Sequence, residues 1–130
     1  DASLYDLLWK LKGRKLCFIT DCLPAGGLPE GEYTLGGQKI IVNGIECLLE
    51  DGTIAGSVLK LNNAVKNVYN NTDMPLWSVV NAASLNPAKA IGVDDRKGSL
   101  DAGKDADIII TDSDFNIMKT IIGGEVKYEV

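Results

Sequence analysis

Apolar residues recur at helical spacing in the first segment of the chain, at Leu4, Leu7, Leu8 and Leu11. This period predicts an amphipathic helix over residues 2–12, with Ser3 available as its N-cap and Gly13 as its end. The next run, residues 15–20, is almost continuously apolar, which is typical of a parallel strand covered on both faces. A helix followed by such a strand predicts an α/β fold.

Glycine and proline break this pattern after residue 20. Their density over residues 22–31 predicts an irregular loop, and the residues responsible are Pro24, Gly26, Gly27 and Pro29. Beyond the loop, three dipeptides that favour tight hairpin turns separate short apolar runs, namely Gly36-Gly37, Asn43-Gly44 and Asp51-Gly52. The runs at 33–35, 38–42 and 45–49 are therefore predicted to form a small antiparallel meander.

Three helices are predicted between the meander and residue 92. The first begins at residue 57 and ends before the asparagines at 70 and 71. The second begins at residue 74 or 75 and ends at about residue 85, and the third begins at residue 86 and ends before the glycine at 92. Ser57 is the expected N-cap of the first helix and Asp73 that of the second, because short polar side chains accept hydrogen bonds from free helical N–H groups.

Strand-like runs return after residue 93, at 107–111, 117–122 and 126–130, with Gly123-Gly124 as a hairpin turn. The chain is accordingly divided into residues 1–93, the end of an α/β architecture with a β-hairpin insertion, and residues 94–130, a small β module. A single strand of the buried type would lack a parallel partner in this chain, which favours aggregation. The chain is therefore predicted to be a piece of a larger protein.

Composition and charge narrow the classes of partner. Apolar residues make up 45% of the chain, which supports a packed core of about one domain. The net charge of −5 comes from 18 acidic and 13 basic residues without a basic block, so nucleic acid is not an expected partner. No apolar run reaches the roughly 18–20 residues that span a bilayer, so membrane association is not expected either.

The cysteines indicate a reducing environment. Cys17, Cys22 and Cys47 are odd in number and form no C-x-x-C pair, so they are predicted to be free thiols of a cytoplasmic protein. A metal site with Cys17 and Cys22 as ligands would need further ligands, and the chain contains no histidine. A cysteine metal site is therefore not expected.

The sharpest candidate for chemistry is Asp21. It directly follows the predicted strand at 15–20 and precedes the glycine-rich loop, which is the position where α/β barrels carry their catalytic groups. An aspartate at a strand end also serves as an ordinary turn or capping residue. Position alone therefore leaves both roles open.

Two further motifs have structural explanations. Residues 98–104 match the spacing G-x-x-x-x-G-K, but no serine or threonine follows Lys104 and no strand leads into the motif, so a nucleotide-binding loop is not expected. Gly52 to Ser57 join the meander to a predicted helix. Its free N–H groups would hold an anion or a sugar hydroxyl, or would simply form a capped helix start.

Several motifs occur together in a recognisable order: I-T-D at 19–21, A-G at 25–26, L-G-G at 35–37, D-G-T-I-A-G-S at 51–57, A-S-L-N-P-A at 83–88 and G-S-L-D-A-G-K-D-A-D at 98–107. In this combination the chain resembles the N-acetylglucosamine-6-phosphate deacetylases, which are amidohydrolases. The motifs in residues 86–107 are shared widely in that superfamily, whereas the loop after Asp21 and the run at 51–57 point to the deacetylases. The resemblance covers essentially the whole chain.

The resemblance implies that the chain is the C-terminal fragment of a (β/α)8 TIM-barrel metallo-dependent hydrolase together with the C-terminal part of a small β-sandwich domain. Residues 15–20 would be the eighth barrel strand. Asp21 would be the catalytic aspartate, which in this family deprotonates a metal-bound water and then protonates the departing amine. Ile54, Ala55 and Gly56 match the segment that contacts the substrate.

The same resemblance implies an amino-sugar phosphate substrate, a homodimer, and a divalent metal, zinc or iron. The metal-binding histidine and glutamate residues lie upstream in the family, and Asp21 is at most one ligand, so this chain by itself is not expected to bind metal or to be active. Two alternatives stay open: a fragment of a dihydroorotase-like or imidazolonepropionase-like amidohydrolase, or a non-enzymatic interaction domain.

Overall fold

A computed structural model describes residues 3–130. The described residues divide into two compact units. One consists of residues 19–61, and the other consists of residues 3–18 together with residues 62–130. The elements are α1 (Ser3–Lys12), a 3-10 turn (Gly13–Lys15), β1 (Gly31–Leu35), β2 (Gln38–Asn43), β3 (Glu46–Leu49), β4 (Ile54–Gly56), α2 (Leu61–Asn71), α3 (Leu76–Ala83), α4 (Leu85–Ala90), β5 (Ile108–Thr111), β6 (Ile117–Ile122) and β7 (Glu125–Glu129). Every helix within residues 3–130 is too short or too polar to span a bilayer.

The unit of residues 19–61 is built on an antiparallel sheet in the order β1-β2-β3-β4. Exposed and buried residues alternate along β2, and the two buried ones, Ile40 and Val42, share a face. Val42 pairs with Cys47 of β3, and Ala25 from the preceding loop joins the same buried cluster. This alternation fixes the register, because a slip of one residue would turn the apolar side chains to the opposite face.

The predicted meander is confirmed at β1, β2 and β3. Its first turn has positive φ angles of 57° and 84° at Gly36 and Gly37, as tight hairpin turns of this kind require. The fourth strand, β4, was not predicted, because three residues with two small side chains carry no period-two pattern. It pairs with β3 through Cys47 and Gly56, with a register shift beyond that pair.

The second unit packs its core between α2 and α3. Val65, Val68, Met74 and Val79 form the buried cluster, and Val79 has no exposed surface. Thr72 ends α2, since its hydroxyl donates to the carbonyl of Val68 at 2.7 Å. The sheet of β5, β6 and β7 is antiparallel, and the predicted hairpin turn at Gly123 and Gly124 is confirmed by φ angles of 59° and 83°.

The strand predicted at residues 15–20 is unpaired in the described part of the chain, so its place in a barrel sheet stays a prediction. No strand within residues 3–130 pairs with this segment, although Leu16 is extended. Its backbone groups bond to helices instead: the N–H of Phe18 donates to the carbonyl of Ala82 at 2.7 Å, and the Asn86 amide donates to the carbonyl of Leu16 at 2.7 Å. A parallel ladder needs a neighbouring parallel strand, which this chain does not supply.

The helix predicted to start at Ser57 begins at Leu61 instead. Ser57 belongs to the unit of residues 19–61, where its hydroxyl oxygen accepts the N–H of Leu59 at 3.1 Å. The side chain therefore stabilises a turn before the helix. The other two predicted helices are confirmed as α3 and α4, but Pro75 occupies the N-cap position of α3, without a side-chain hydrogen bond, in place of Asp73.

The connection from β5 to β6 is held against α2. The Asp112 carboxylate accepts hydrogen bonds from the side chain and the backbone N–H of Asn116, at 2.8 and 2.9 Å, and these bonds lower the pKa of Asp112. Phe115 has a positive φ angle of 62°, and its carbonyl accepts the side-chain amide of Asn62 at 3.0 Å. Its ring packs edge-on against Tyr69 with centroids 5.6 Å apart.

Lys97 lies between two carboxylates ahead of β5. Its Nζ is 2.8 Å from Oδ2 of Asp105 and also contacts Oδ2 of Asp107. The other oxygen of Asp107 accepts the N–H of Gly123 at 2.8 Å, which ties the segment to the hairpin turn. The hydrogen bonds from Lys97 hold the pKa of Asp105 and the pKa of Asp107 below their usual range.

We expect Lys97→Gln to reduce the loss of stability in acid. Folding lowers the pKa values of the Asp105 and Asp107 carboxyl groups. Their contribution to the free energy of unfolding is therefore present above the unfolded pKa of 3.8, and it disappears as the pH falls through the lower folded pKa values. The urea midpoint of the chain should fall between about pH 6 and about pH 2, and fall less in the variant. Lys60→Gln is the control, since Lys60 has no ion-pair partner within residues 3–130. Equal falls in all three proteins would contradict this explanation.

Candidate active site

Asp21 has a backbone conformation that few non-glycine residues adopt. Its φ angle is 48°, and within residues 3–130 only Phe115 is another non-glycine residue with a positive φ. Aspartate tolerates this region better than bulky residues do, yet the conformation is costly and persists only where neighbouring contacts hold it. Residues of this kind cluster at functional sites. Asp21 is also exposed, so its carboxylate is accessible.

The two residues after Asp21 are held by Ser57, which directly follows β4. Cys22 forms a parallel bridge with Ser57, and the N–H of Leu23 donates to the carbonyl of Ser57 at 2.8 Å. Because the two segments run parallel, Asp21 neighbours Gly56, the last residue of β4. The structure therefore brings together Asp21 and the predicted substrate segment, which are far apart in the sequence.

The three residues of β4 have different surroundings. Ile54 is 78% exposed, whereas Ala55 packs against the buried cluster of the sheet. Gly56 allows the loop to approach closely, because a Cβ at this position would lie only 2.8 Å from Cγ of Leu23. Ala55 thus anchors the strand, while Ile54 offers an apolar side chain to solvent.

Gly26 forms a tight turn in the loop that follows Asp21. Its N–H donates to the carbonyl of Leu23 at 2.8 Å, which forms a tight turn. A Cβ at Gly26 would lie 1.9 Å from Sγ of Cys22, so the thiol occupies the space where any other side chain would begin. From the sequence, Gly26 is only a loop former, and no pattern in the chain signals this packing against Cys22.

Metal ligands are sparse around Asp21. Among residues 3–130, no three His, Cys, Asp or Glu side chains are grouped so that they could hold a metal ion. A catalytic zinc site takes about three protein ligands, so the described residues do not fit a complete metal site. Asp21 offers a single carboxylate, and the neighbouring Cys22 is a free, exposed thiol.

The other candidate anion sites are used internally or are not formed. Nζ of Lys104 donates to the hydroxyl of Ser99 at 2.6 Å and lies 3.4 Å from Oδ2 of Asp101, so the G-x-x-x-x-G-K motif is held by its own side chains. The helix start expected at Ser57 is absent there, because α2 begins at Leu61. The helix start at Ser57, on which both the anion site and the plain capped start depended, is therefore not formed.

The chain is similar in sequence and structure to known proteins. The model of the "Amidohydrolase family" matches residues 34–127. The N-acetylglucosamine-6-phosphate deacetylase of Bacillus subtilis is 43% identical over 114 residues, which cover 88% of this chain and 29% of that protein. The crystal structure of the Pasteurella multocida deacetylase has a TM-score of 0.90 at 34% identity and covers 98% of this chain and 34% of that one.

A third match includes a bound sugar. An aspartate-to-alanine variant of the Mycobacterium smegmatis deacetylase, solved in complex with N-acetyl-D-glucosamine-6-phosphate, has a TM-score of 0.85 at 27% identity and covers 96% of this chain and 34% of that one. The chain thus spans about a third of the length of the relatives it matches.

These matches confirm the resemblance and the fold class, an α/β part of a barrel hydrolase with strands of a smaller β domain. The division of the chain at residue 93 stays a prediction, since the compact units of the structure are drawn on contacts and follow a different boundary. Because the family model matches most of its length, the chain belongs to the amidohydrolase family, a family of metal-dependent hydrolases.

Proposed function

We propose that the whole protein hydrolyses the acetamide of N-acetylglucosamine 6-phosphate to glucosamine 6-phosphate and acetate. The observation that carries the proposal is the strained Asp21 beside the end of β4, in a chain 43% identical to a deacetylase. The deacetylase relatives favour this reaction over a dihydroorotase-like or imidazolonepropionase-like one. An accessible acid in a costly conformation favours an enzyme over an interaction domain.

Asp21 has the chemistry that amide hydrolysis requires of a general base and acid. We propose that its carboxylate takes a proton from water as the water oxygen bonds to the acetamide carbonyl carbon. The same group then gives that proton to the amine nitrogen as the carbon–nitrogen bond breaks. Water and amide are thereby converted to acetic acid and an amine, between which a proton passes to give acetate and the ammonium group, and Asp21 returns to its carboxylate form.

The residues of β4 are the proposed contacts for the sugar. Ile54, Ala55 and Gly56 form an edge strand of the sheet, and the end of that strand lies next to the segment that carries Asp21. The absence of a side chain at Gly56 leaves room for Leu23, which packs against the strand and holds the loop that carries the acid. The exposed side chain of Ile54 supplies an apolar surface of the kind that lies against a sugar ring.

A divalent metal, a homodimer and a cytoplasmic location complete the proposal. The family is metal-dependent, and we propose zinc or iron, held mainly by residues of the whole protein that this chain does not contain, with at most one oxygen from Asp21. The chain by itself is then inactive. The three free cysteines support a reducing compartment.

The proposal is tested with a chimaeric enzyme, the Pasteurella multocida deacetylase in which this chain replaces the equivalent third. We expect the chimaeric enzyme to release acetate from N-acetylglucosamine 6-phosphate within about a hundredfold of the parent rate, since misplacement by about 1 Å costs up to that factor. The chain alone and the host segment alone serve as controls. A folded chimaeric enzyme that binds metal but releases no acetate would contradict the proposal.

A further inference from the structure

A cavity of about 300 Å³ is lined by the 3-10 turn, α3 and α4. Its polar and aromatic lining consists of Arg14, Trp77, Ser78, Asn81, Asn86 and Lys89, none of which belongs to the unit of residues 19–61 that contains Asp21. The size lies at the lower end of the range of about 300–1,000 Å³ typical of sites for small molecules. No acidic residue lines this cavity.

Two buried polar side chains line the cavity, and their hydrogen-bonding groups are only partly paired. Ser78 and Asn86 are each only 8% exposed. Asn86 donates through Nδ2 to the carbonyl of Leu16 at 2.7 Å, which leaves its Oδ1 without a partner among residues 3–130, and the Ser78 hydroxyl likewise has none there. Because every fully enclosed side-chain N or O atom in the described part of the chain is paired, these two groups keep some accessible surface, and both residues line the cavity.

Two positively charged side chains are among the residues that line the cavity. Arg14 and Lys89 are exposed, and neither forms an ion pair within residues 3–130. In a chain with a net charge of −5, two unpaired cations beside one cavity that lacks acids create a local positive site. The guanidinium group of Arg14 has a fork of donors that matches the oxygens of a phosphate.

Trp77 completes the site with a flat apolar wall, and it is 57% exposed although it lines the cavity. We propose that this cavity binds a small phosphate monoester that contains a ring. The ring would lie against Trp77, and the phosphate would lie between Arg14 and Lys89. A phosphate monoester carries about −1.5 to −2 charges at neutral pH, which two cations balance. Ser78, Asn81 and Asn86 then supply hydrogen bonds to the remaining polar groups of the ligand.

The test follows the two indole N–H signals of the 130-residue chain by NMR, after labelling tryptophan with ¹⁵N. The probes are inorganic phosphate, glucosamine 6-phosphate and AMP, with glucosamine and adenosine as unphosphorylated controls. We expect the Trp77 signal to shift in a saturable way with a ring-bearing phosphate, at lower concentration than with inorganic phosphate, while the Trp9 signal stays in place. Comparison of the two ring phosphates separates a sugar ligand from a nucleotide.

Variants that each remove one positive charge show which residues bind the phosphate. Arg14→Gln and Lys89→Gln should each raise the Kd of the tighter phosphate about tenfold, because each removes a charge-assisted hydrogen bond. Lys60→Gln, which removes an unpaired lysine outside the cavity, should leave it unchanged. Absence of a saturable Trp77 shift, equal Kd values in Lys89→Gln and Lys60→Gln, or equally tight binding of glucosamine or adenosine would each overturn the proposal. Neither metal nor deacetylase activity is needed, so the result is independent of the proposed function.

Discussion

Asp21→Asn should lower kcat of the chimaeric enzyme by about 10²–10⁴-fold, the usual contribution of a general acid–base residue. The substitution keeps the size and shape of the side chain, but it replaces one accepting oxygen by a donating NH2 group and removes the ability to take up and return a proton. We therefore expect KM to change far less than kcat. Both constants are measured from acetate release at varied concentrations of N-acetylglucosamine 6-phosphate.

The same substitution should leave the fold intact. Asparagine tolerates a positive φ angle at least as well as aspartate, so the 48° conformation at position 21 carries no added strain. Thermal unfolding of the variant should match the unsubstituted protein to within about 0.5 kcal/mol. Asp73→Asn, at another exposed aspartate, is the matched control and should keep full turnover. Turnover in Asp21→Asn equal to that control would remove Asp21 from the mechanism.

Gly26→Ala should be nearly as harmful, although residue 26 is not proposed to touch the substrate. The new Cβ would lie 1.9 Å from Sγ of Cys22, so the thiol must rotate away or the backbone at Cys22 must shift, and we expect the shift to weaken the bridge of Cys22 to Ser57. Since Asp21 precedes Cys22 directly, its carboxylate moves as well. We expect about a hundredfold lower kcat, with stability reduced by about 1–3 kcal/mol, as for other overpacked sites.

A double variant identifies the thiol as the cause of this loss. Cys22→Ala with Gly26→Ala removes Sγ and leaves 3.1 Å to the carbonyl of Leu23 as the closest remaining contact of the new Cβ. Most of the lost turnover should return, whereas Cys22→Ala alone should stay close to the unsubstituted enzyme. If the double variant is as slow as Gly26→Ala, steric conflict with Cys22 does not position Asp21.

Much of the fold could be predicted because its signals are local. The hairpins depend on glycines with positive φ, such as Gly36 and Gly123, and these appear in the sequence as dipeptides between apolar runs. The helices α3 and α4 were found from their spacing to within one or two residues. The start of α2 was missed, because Ser57 is an N-cap candidate by type but bonds to Leu59 in a turn.

The features that depend on distant residues could not be predicted from local pattern. The apolar run at 15–20 indicates a buried strand, but a strand forms only beside a partner, and the backbone there bonds to residues such as Ala82 and Asn86. The proximity of Asp21 and Gly56 results from a bridge between residues far apart in the sequence. The family resemblance placed both residues at one site, while the strain at Asp21 and the packing at Gly26 came only from the structure.

The most direct test of the central claim, that Asp21 and β4 form the reacting site, is a crystal structure of the chimaeric enzyme with Asp21→Asn bound to N-acetylglucosamine 6-phosphate. We expect the side chain at position 21 to lie within about 3.2 Å of the amide nitrogen, or to reach it through one water, with residues 54–56 against the sugar. A substrate bound with its amide away from position 21, and without contact to residues 54–56, would contradict the claim.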